Sequence, residues 1–333
     1  MKELRVKGGG LKKQDEQIET LIIMSSYNGA AFIAEQLQSI IDQEYKQWTL
    51  LLRDDGSTDD TLSMFQEISK QDSRLKLLTD NKARLGAAQS FHALMRAAAE
   101  SSSNYIVFSD QDDVWFPDKL SKQIALMKNL EIECAGMPIL IHSDMEVVDA
   151  DLNQMAPSFM SYQGIHHEDD DSLRVLLVQN YVTGCTVVVN RRLLDVALPM
   201  PDSALMHDWW LALVAAASGK IGFVDESLIQ YRQHGSNTVG AKPLRALLDP
   251  RTWSRQWQSG RVNLRRSIDQ AQSLAERLER MNSHEGALRL IRSYALLLKQ
   301  QPVARVHHLI RLGLHAQSQV RNLLLRARLM SLK

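Results

Sequence analysis

The chain has 333 residues, of which 44% are hydrophobic and 23% charged, a balance typical of a soluble globular protein. Its length indicates one large domain, or one domain with an extension. The only cysteines, Cys134 and Cys185, argue against a disulfide framework and favour a cytosolic protein. The N-terminus lacks the apolar core of a signal peptide. Because no stretch approaches about 18 apolar residues, we predict no membrane span.

The charges are divided unevenly along the chain, although their sum is zero. Residues 241–333 contain 18 Lys and Arg against 5 Asp and Glu, a net charge of +13. The first 240 residues therefore carry a net charge of −13. This asymmetry predicts that the basic C-terminal segment binds a partner.

In the first 110 residues, short apolar strands alternate with helices. We predict strands at 20–25, 48–52, 75–78 and 105–108, and helices at 30–43, 58–69 and 86–100. This alternation indicates an α/β fold with a mostly parallel sheet covered by helices on both faces. Polar clusters follow three of these strands, at the edge of the sheet where ligands of such folds bind.

The remaining chain is less regular until residue 240. We predict strands at 139–141, 185–189, 221–224 and 228–231, a polar loop at 164–171 and a helix at 205–218. Beyond 240, helical spacing predicts helices at 264–280, 285–299 and 303–329, with breaks at Gly260, Ser283 and Pro302. The chain is thus divided into a flexible tail (1–17), an α/β domain (18–240) and a basic α-helical C-terminal extension (241–333).

Asp110 and Asp112 follow the predicted strand 105–108 directly. Two carboxylates spaced in this way suit Mg²⁺ or Mn²⁺, either of which would bridge a diphosphate and stabilise a leaving group. The alternative is an acidic loop that caps the next helix, whose start is marked by Pro117. For Asp113 alone, the capping role and the ligand-facing role are evenly balanced.

A second polar cluster, 54–57, follows the predicted strand 48–52. Asp54 or Asp55 could accept a hydrogen bond from a nucleobase, or the cluster could simply be a helix-entry turn capped by Ser57 or Thr58. After the first strand, Tyr27 and Asn28 offer an aromatic face for stacking on a base. Taken alone, Tyr27 would be interpreted as a surface aromatic residue.

Asp208 lies among His207, Trp209 and Trp210, before an apolar helical run. Partial desolvation raises the pKa of such a carboxylate toward the range of a general base. The alternative is an Asp that caps the helix beside core tryptophans.

Several histidines follow strands or lie in loops. His234 follows the strand 228–231 and could bind a metal or a phosphate, although a lone histidine is more often structural. For His142 and Asp144, lining of a site and a structural role are equally supported. His166 and His167 are interpreted as part of a solvated loop, with acceptor contact as the minor alternative.

Five motifs occur in order between residues 19 and 240: SSYNG, RDDGSTDDT, SDQDDVW, MHDWW and YRQHGSN. Together they resemble the family 2 inverting glycosyltransferases of the glycosyltransferase A fold, above all the rhamnosyltransferase-type members that build bacterial cell-surface polysaccharides. The resemblance implies a Rossmann-like, mostly parallel sheet with flanking helices, and makes 18–240 the catalytic domain. Two features depart from the commonest pattern: SSYN replaces a Pro- or Thr-containing turn, and His207 stands where many relatives carry Glu. The second is typical of the rhamnosyltransferase-like subgroup.

The resemblance also implies a role for each matching residue. Asp208 would be the catalytic base, and Asp112 with His234 would hold Mg²⁺ or Mn²⁺. Nucleotide contacts would come from Ser26, Tyr27, Asp54, Asp55, Arg84, Gly86 and Asp110, with Asn81 as a further neighbour. The residues expected to line the site or contact the acceptor are His207, Trp209, Trp210 and His142.

These roles imply a metal-dependent hexosyltransferase that acts by direct displacement. Asp208 would take the proton of an acceptor hydroxyl as that hydroxyl attacks the anomeric carbon of a nucleotide-diphosphate sugar, with inversion of configuration. A rhamnose donor is a hypothesis at the level of the family. The acceptor would be a growing polysaccharide or a lipid-linked glycan.

The basic helices then have two equally supported interpretations. They could dock peripherally on the cytoplasmic face of the plasma membrane. They could instead form a bundle with solvated arginines or a homodimer interface. Two other functions also compete. A nucleotidyltransferase would need a Gly-rich basic loop after the first strand, which SSYNGAAF lacks. A non-catalytic protein that binds nucleic acid or another partner would leave the strand-end carboxylates unexplained, so we expect no nucleic acid as a partner.

Overall fold

The computed structural model describes residues 5–7, 20–80, 84–235, 240, 251, 253–281 and 285–332. Among these, ten strands form one sheet. The strands are β1 (Arg5–Lys7), β2 (Thr20–Ser26), β3 (Trp48–Asp54), β4 (Leu75–Thr79), β5 (Tyr105–Ser109), β6 (Val114–Trp115), β7 (Ile139–Val148), β8 (Gln154–Ala156), β9 (Val188–Asn190) and β10 (Lys220–Arg232). Their order is β1-β4-β3-β2-β5-β9-β7-β10-β6, and β8 pairs with β7 at the side.

The centre of the sheet is parallel, as the alternating pattern predicts. Strands β4, β3, β2 and β5 are parallel neighbours, and β7 is parallel to β10. The short strands β1, β6, β8 and β9 run antiparallel to their partners. Ile22, Ile23 and Val107 are fully buried because both faces of the sheet are covered, which explains why these strands are continuously apolar. The predicted mostly parallel sheet with flanking helices is confirmed.

Helices flank the sheet and dominate the C-terminal region. They are α1 (Ile33–Ile41), α2 (Thr61–Gln71), α3 (Ala87–Ala99), α4 (Lys119–Glu133), α5 (Phe159–Gln163), α6 (Ser172–Leu176), α7 (Arg191–Ala197), α8 (His207–Ser218), α9 (Trp253–Arg280), α10 (Glu285–Ala295), α11 (Pro302–Arg311) and α12 (Gln319–Ser331). Helix α3 packs on β2, α4 packs on β7 and β10, and α9 packs on α8, α10 and α12. In the described part of the chain, none of the helices combines the length and apolar character that a bilayer span requires.

Three predicted boundaries in the second half are wrong. The strands predicted at 221–224 and 228–231 are one strand, β10, because the polar residues between them are accommodated by a shift of register against β7. The helix predicted at 303–329 is two helices, since Gly313 adopts a positive φ of 69° after α11. The strand predicted at 185–189 begins as a short 3₁₀ turn, Gly184–Thr186, and only then becomes β9.

Gly260 is not a break but an interior residue of the 28-residue helix α9. The guanidinium of Arg328 lies against its Cα, and a Cβ atom there would be 2.2 Å from Arg328 Cζ. The glycine therefore permits close packing between α9 and α12 rather than ending a helix. Ser283, another predicted break, lies outside the described residues, while Pro302 does begin α11.

Several arginines of the C-terminal region are turned inward onto main-chain carbonyls. Arg277 donates to the carbonyl oxygens of residues 196, 198 and 199, and Arg305 to those of 298, 300, 329 and 332. Arg321 joins α12 to the carbonyls of Gln163 and Gly164. Part of the +13 charge thus stabilises the fold internally. The boundary near 240 stays a prediction, as does the tail, of which only Arg5–Lys7 is described.

Candidate active site

Three aspartates share one site beyond the carboxyl end of β5. Asp110 follows β5 directly, and Asp112 lies two residues further along the same turn. Burial, followed by the negative charges of Asp112 and Asp208, raises the pKa of Asp110 to about 7. Charges influence one another in this way only when they are close and poorly screened. The structure therefore brings together the three carboxylates that the sequence singled out.

Asp112 is paired with His234, which lies just beyond the end of β10. His234 Nε2 is 2.8 Å from Asp112 Oδ2, and the two side chains are only 10% and 15% exposed. The buried Arg232 fixes this arrangement, because its Nε donates to the Asp112 carbonyl and one Nη donates to Glu35. The ring of Phe32 packs on His234 with 4.5 Å between the centroids. His234, although distant in sequence from Asp112, is thus held beside the turn that follows β5.

The pair of Asp112 and His234 fits a divalent cation. Neighbouring ligands of an octahedral ion, each about 2.1 Å from it, lie about 3 Å apart, close to the observed 2.8 Å. A carboxylate oxygen and an imidazole nitrogen are ligands that Mn²⁺ accepts, whereas Mg²⁺ prefers oxygen alone. These two residues could therefore hold Mg²⁺ or Mn²⁺, with the donor set favouring Mn²⁺.

A second group, formed by Asp110, Asp113 and Cys185, offers ligand atoms within 4.8 Å of one another. Burial, together with the nearby carboxylates, raises the pKa of both Asp113 and Cys185 well above their usual ranges. Burial thus favours the protonated form of both groups, and a protonated thiol is a poor ligand for a hard cation. The capping role considered for Asp113 is wrong: it is fully buried, and the N-cap of α4 is Asp118.

The turn after β3 is organised by Asp54. Its carboxylate accepts hydrogen bonds from the Ser26 hydroxyl at 3.0 Å, the Ser57 hydroxyl at 2.6 Å and the Ser57 N–H at 2.8 Å. Gly56 has a positive φ of 87°, which a residue without a Cβ adopts readily. Helix α2 begins at Thr61, so neither Ser57 nor Thr58 caps it. Ser26 is buried and donates to Asp54, and its predicted contact with the nucleotide stays a prediction.

Asp55 lies beneath this turn and supports the next loop. It is buried and accepts hydrogen bonds from Arg53 Nη1 at 2.6 Å and from the N–H groups of Leu85 and Gly86, both at 2.7 Å. These contacts give Asp55 a supporting role for the loop, and its predicted direct contact with a nucleotide stays a prediction. Asn81 lies outside the described residues.

Arg84, placed by that loop, covers the aromatic ring of Tyr27. The Arg84 Cζ atom is 4.1 Å from the ring centroid, a cation–π distance. Gly86 precedes α3 with a positive φ of 77°. Tyr27, Arg84 and Gly86 therefore lie together beside the ends of β2 and β3, as expected for one binding region.

Gln111, between the two aspartates of the turn, is a residue that sequence reasoning missed. Its amide group accepts from the Tyr27 N–H at 2.8 Å and donates to the Tyr27 carbonyl at 2.9 Å. A Cβ atom at Gly29 would lie 2.2 Å from Gln111 Oε1, so the glycine makes room for this contact. Gln111 thus joins the turn that carries Asp110 and Asp112 to the loop that carries Tyr27. An amide between two carboxylates was the only sequence signal.

Asp208 lies in the first turn of α8, whose N-cap is Met206, so the capping alternative is wrong. Burial raises the pKa of Asp208 to about 6, although the main-chain N–H groups of Trp209 and Gly184 act in the opposite direction. The Trp209 N–H is 2.5 Å from Asp208 Oδ1. A carboxylate with this pKa is mostly ionised at neutral pH and is still basic enough to accept a proton.

Two of the aromatic neighbours of Asp208 belong to the core, which corrects their expected place at the site. His207 is 3% exposed and stacks on Phe91, with 4.0 Å between the ring centroids. Burial lowers the pKa of His207 to about 3, so the ring is neutral, and among the described residues neither nitrogen has a hydrogen-bond partner. Trp210 is fully buried and donates to the Ala197 carbonyl.

Trp209 is only partly buried and donates through Nε1 to the Leu176 carbonyl at 2.6 Å. It therefore remains beside Asp208 with part of its ring accessible. Asp144 accepts from the N–H groups of Met145 and Met160, which gives it a structural role.

His142 lies in a separate buried cluster rather than with the aspartates. Its Nε2 is 3.0 Å from His167 Nδ1, and both rings contact Phe223 and Tyr181. Burial holds the pKa of His142 well below its usual range. The solvated-loop interpretation is correct for His166, which is 62% exposed, and wrong for His167, which is 10% exposed.

Comparison with known proteins links the chain to a family. A family model described as "Glycosyl transferase family 2" matches residues 21–195. An Escherichia coli protein named UDP-Glc:alpha-D-GlcNAc-diphosphoundecaprenol beta-1,3-glucosyltransferase WfgD is 34% identical over 175 residues, which are 52% of this chain and 61% of that protein. The dTDP-rhamnosyl transferase RfbG of Shigella flexneri is 28% identical over 231 residues, covering 66% of this chain and 74% of its own length.

The fold is also similar to a solved structure. The crystal structure of S. aureus TarS 1-349 superposes with a TM-score of 0.54, covering 94% of this chain and 88% of that one. Its sequence identity of 17% supports similarity of the fold alone.

Proposed function

The chain belongs to glycosyl transferase family 2, and on that premise we propose that it transfers a sugar from a nucleotide-diphosphate donor to a hydroxyl group of a growing polysaccharide or lipid-linked glycan. One observation carries this proposal. Asp110 and Asp112 lie in one turn and share a site with Asp208, almost 100 residues further along the chain, and burial and mutual repulsion there raise the pKa of Asp110 to about 7. A divalent cation bound there would relieve that repulsion and would also attract an anionic diphosphate.

The nucleotide would bind beside the ends of β2 and β3. Tyr27, stacked under Arg84, offers an aromatic face to the base, and the Arg84 guanidinium offers positive charge to the phosphates. Asp54 shapes the adjoining turn and would accept a hydrogen bond from a base N–H. Gly86 allows the chain to pass close to the donor, and Asp110 would contact the ribose or the diphosphate.

Asp112 and His234 would hold Mn²⁺ or Mg²⁺ between the protein and the diphosphate. Such an ion acts as a Lewis acid that stabilises the negative charge of the leaving group. Arg232 would keep Asp112 and His234 close together, because it ends the strand that leads to His234 and donates to the Asp112 carbonyl.

Asp208 would act as the general base. With a pKa of about 6, roughly nine tenths of this carboxyl group is ionised at pH 7. It takes the proton from the acceptor hydroxyl while the hydroxyl oxygen bonds to the anomeric carbon. The bond from that carbon to the nucleotide diphosphate breaks on the opposite side, so the configuration inverts.

The names of the relatives narrow the substrates to test. One is a dTDP-rhamnosyl transferase, and another transfers glucose from UDP to a diphosphoundecaprenol-linked sugar. We therefore propose dTDP-rhamnose and UDP-glucose as the first candidate donors and a lipid-linked sugar as acceptor. Both relatives are sugar transferases, which favours this function over the nucleotidyltransferase alternative.

The decisive experiment is a donor-hydrolysis and transfer screen with several nucleotide sugars and Mn²⁺. We expect one donor to be turned over, and turnover to fall when Asp112 is replaced by alanine. Absence of turnover with every donor, or equal turnover by Asp112→Ala, would contradict the proposal. We further propose that the protein acts at the cytoplasmic face of the membrane as a peripheral protein, with homodimerisation as the alternative role of its basic helices.

A further inference from the structure

Helices α11 and α12 expose large apolar side chains at helical spacing. On α11, Val303 is 73% exposed and Ile310 is 53% exposed, seven residues apart. On α12, Leu323 is 69% exposed and Met330 is 49% exposed, again seven residues apart. A separation of seven residues is about two helical turns, so each pair forms one apolar stripe. We call these two stripes together the α11–α12 outer face.

The opposite sides of the same helices are packed into the protein. Leu309 on α11 is buried, as are Leu325 and Leu329 on α12, and the two helices pack on each other. Arg305 reinforces this packing by donating to the carbonyls of Leu329 and Leu332. Each helix therefore has a satisfied inner side and an apolar outer side whose exposure the fold itself does not require.

The charge carried by this part of the chain itself has one sign, although Glu168 and Asp171 of a neighbouring loop lie beside the connection between α11 and α12. Residues 286–333 contain nine Lys and Arg and no Asp or Glu. Arg305, Arg321 and Arg328 are turned inward onto carbonyl groups. The exposed cations of these helices and of the turn before them are Lys299, Arg311 and Arg326. Lys299 and Arg311 flank the stripe of α11, and Arg326 lies within that of α12.

We propose that the α11–α12 outer face docks on an anionic membrane surface, with its apolar side chains in the boundary between headgroups and acyl chains. Exposed apolar stripes bordered by Lys and Arg are typical of helices that lie in this boundary. A second copy of the chain fits less well, because a two-fold interface centred on these helices would bring their cations together and neither helix carries a carboxylate to pair them. The inference rests on the proposed function in one respect: a lipid-linked acceptor is presented at the same surface.

The test is flotation of the full chain with vesicles of phosphatidylcholine, with and without phosphatidylglycerol. We expect the protein to float with the anionic vesicles only. Replacing all four apolar residues (Val303→Ser, Ile310→Ser, Leu323→Ser and Met330→Ser) should reduce the bound fraction by at least about tenfold. A matched control, Ile132→Ser with Met155→Ser, removes side chains that are 80% and 54% exposed elsewhere and should float like the wild type.

A second variant tests the charges without touching apolar packing. Replacing Lys299, Arg311 and Arg326 by glutamine should weaken anionic binding by roughly fivefold per cation. All these residues are exposed, and circular dichroism should confirm that each variant is folded. If the wild type does not float, or if both variants float like the wild type, the proposal is wrong. If the wild type is a dimer in sedimentation and the serine variant is a monomer, the face is a self-association surface instead.

Donor hydrolysis without vesicles separates this inference from the function. Variants that hydrolyse the donor normally but no longer float would support membrane docking. A wild-type chain that floats but turns over no donor would contradict the proposed function and leave the docking surface intact.

Discussion

Replacing Asp208 by asparagine should lower turnover and raise stability at the same time. A general base typically contributes about 10²–10⁴ in rate, and asparagine in place of the proposed base Asp208 could not accept the proton. Donor binding should persist, because the proposed nucleotide and metal contacts lie on other residues. Turnover should therefore fall at least about a hundredfold while the donor affinity changes little.

The expected gain in stability of Asp208→Asn follows from the raised pKa of Asp208. Burial holds the carboxyl group at about 6, against an ordinary value of 3.8, a difference of about 3 kcal/mol. Because the folded pKa is the higher one, the folded protein disfavours the ionised form. This cost is absent below about pH 4, grows between about pH 4 and 6, and is complete above that range. Asparagine removes it, which for 333 residues corresponds to a rise in melting temperature of roughly 4 °C.

The assay combines melting curves at about pH 4 and pH 8 with sugar transfer and donor titration calorimetry. The matched control is Asp202→Asn, an exposed residue in the turn before α8, which should change neither stability nor turnover. If Asp208 only stabilised the start of α8, its replacement would lower stability by about 0.5–1 kcal/mol. A lower melting temperature at pH 8, or near-normal turnover, would therefore refute the reasoning.

The remaining predictions concern the metal, the loop contact and pH. Replacing His234 or Asp112 by alanine should weaken nucleotide binding in the presence of Mn²⁺ by at least about tenfold. Titration calorimetry without Mn²⁺ should show the same nucleotide affinity for the variants and the wild type. Gln111→Ala removes two hydrogen bonds to Tyr27, together worth about 2 kcal/mol, so the KM for the donor should rise roughly thirtyfold with a smaller change in kcat; an unchanged KM would contradict the contact. Turnover should fall about tenfold per pH unit below pH 6 as Asp208 becomes protonated, and a pH profile flat down to about pH 5 would exclude this carboxyl group as the base.

The sequence by itself determined the architecture of the first half and the position of the chemistry. Continuous apolar runs as short as 20–25, 48–52 and 105–108, alternating with helical segments, are typical of strands covered on both faces, so they predict a parallel sheet. Polar clusters directly after such strands must lie at one edge, which is why Asp54, Asp110 and Asp112 could be placed there from the pattern alone.

The tertiary structure decided which way each side chain points and what it touches. Within 207–210, the sequence could not separate Asp208 at the site from His207 and Trp210 in the core, because that depends on how α8 packs against its neighbours. A glycine such as Gly260 often marks the end of a helix. Here it lies inside α9, where the absence of a side chain lets Arg328 of α12 pack closely. The contacts of Gln111 with Tyr27 and of His234 with Asp112 join residues more than 80 and 120 positions apart. The periodicity of a sequence indicates which residues are buried. Contacts between residues that are distant in sequence form only when the whole chain has folded.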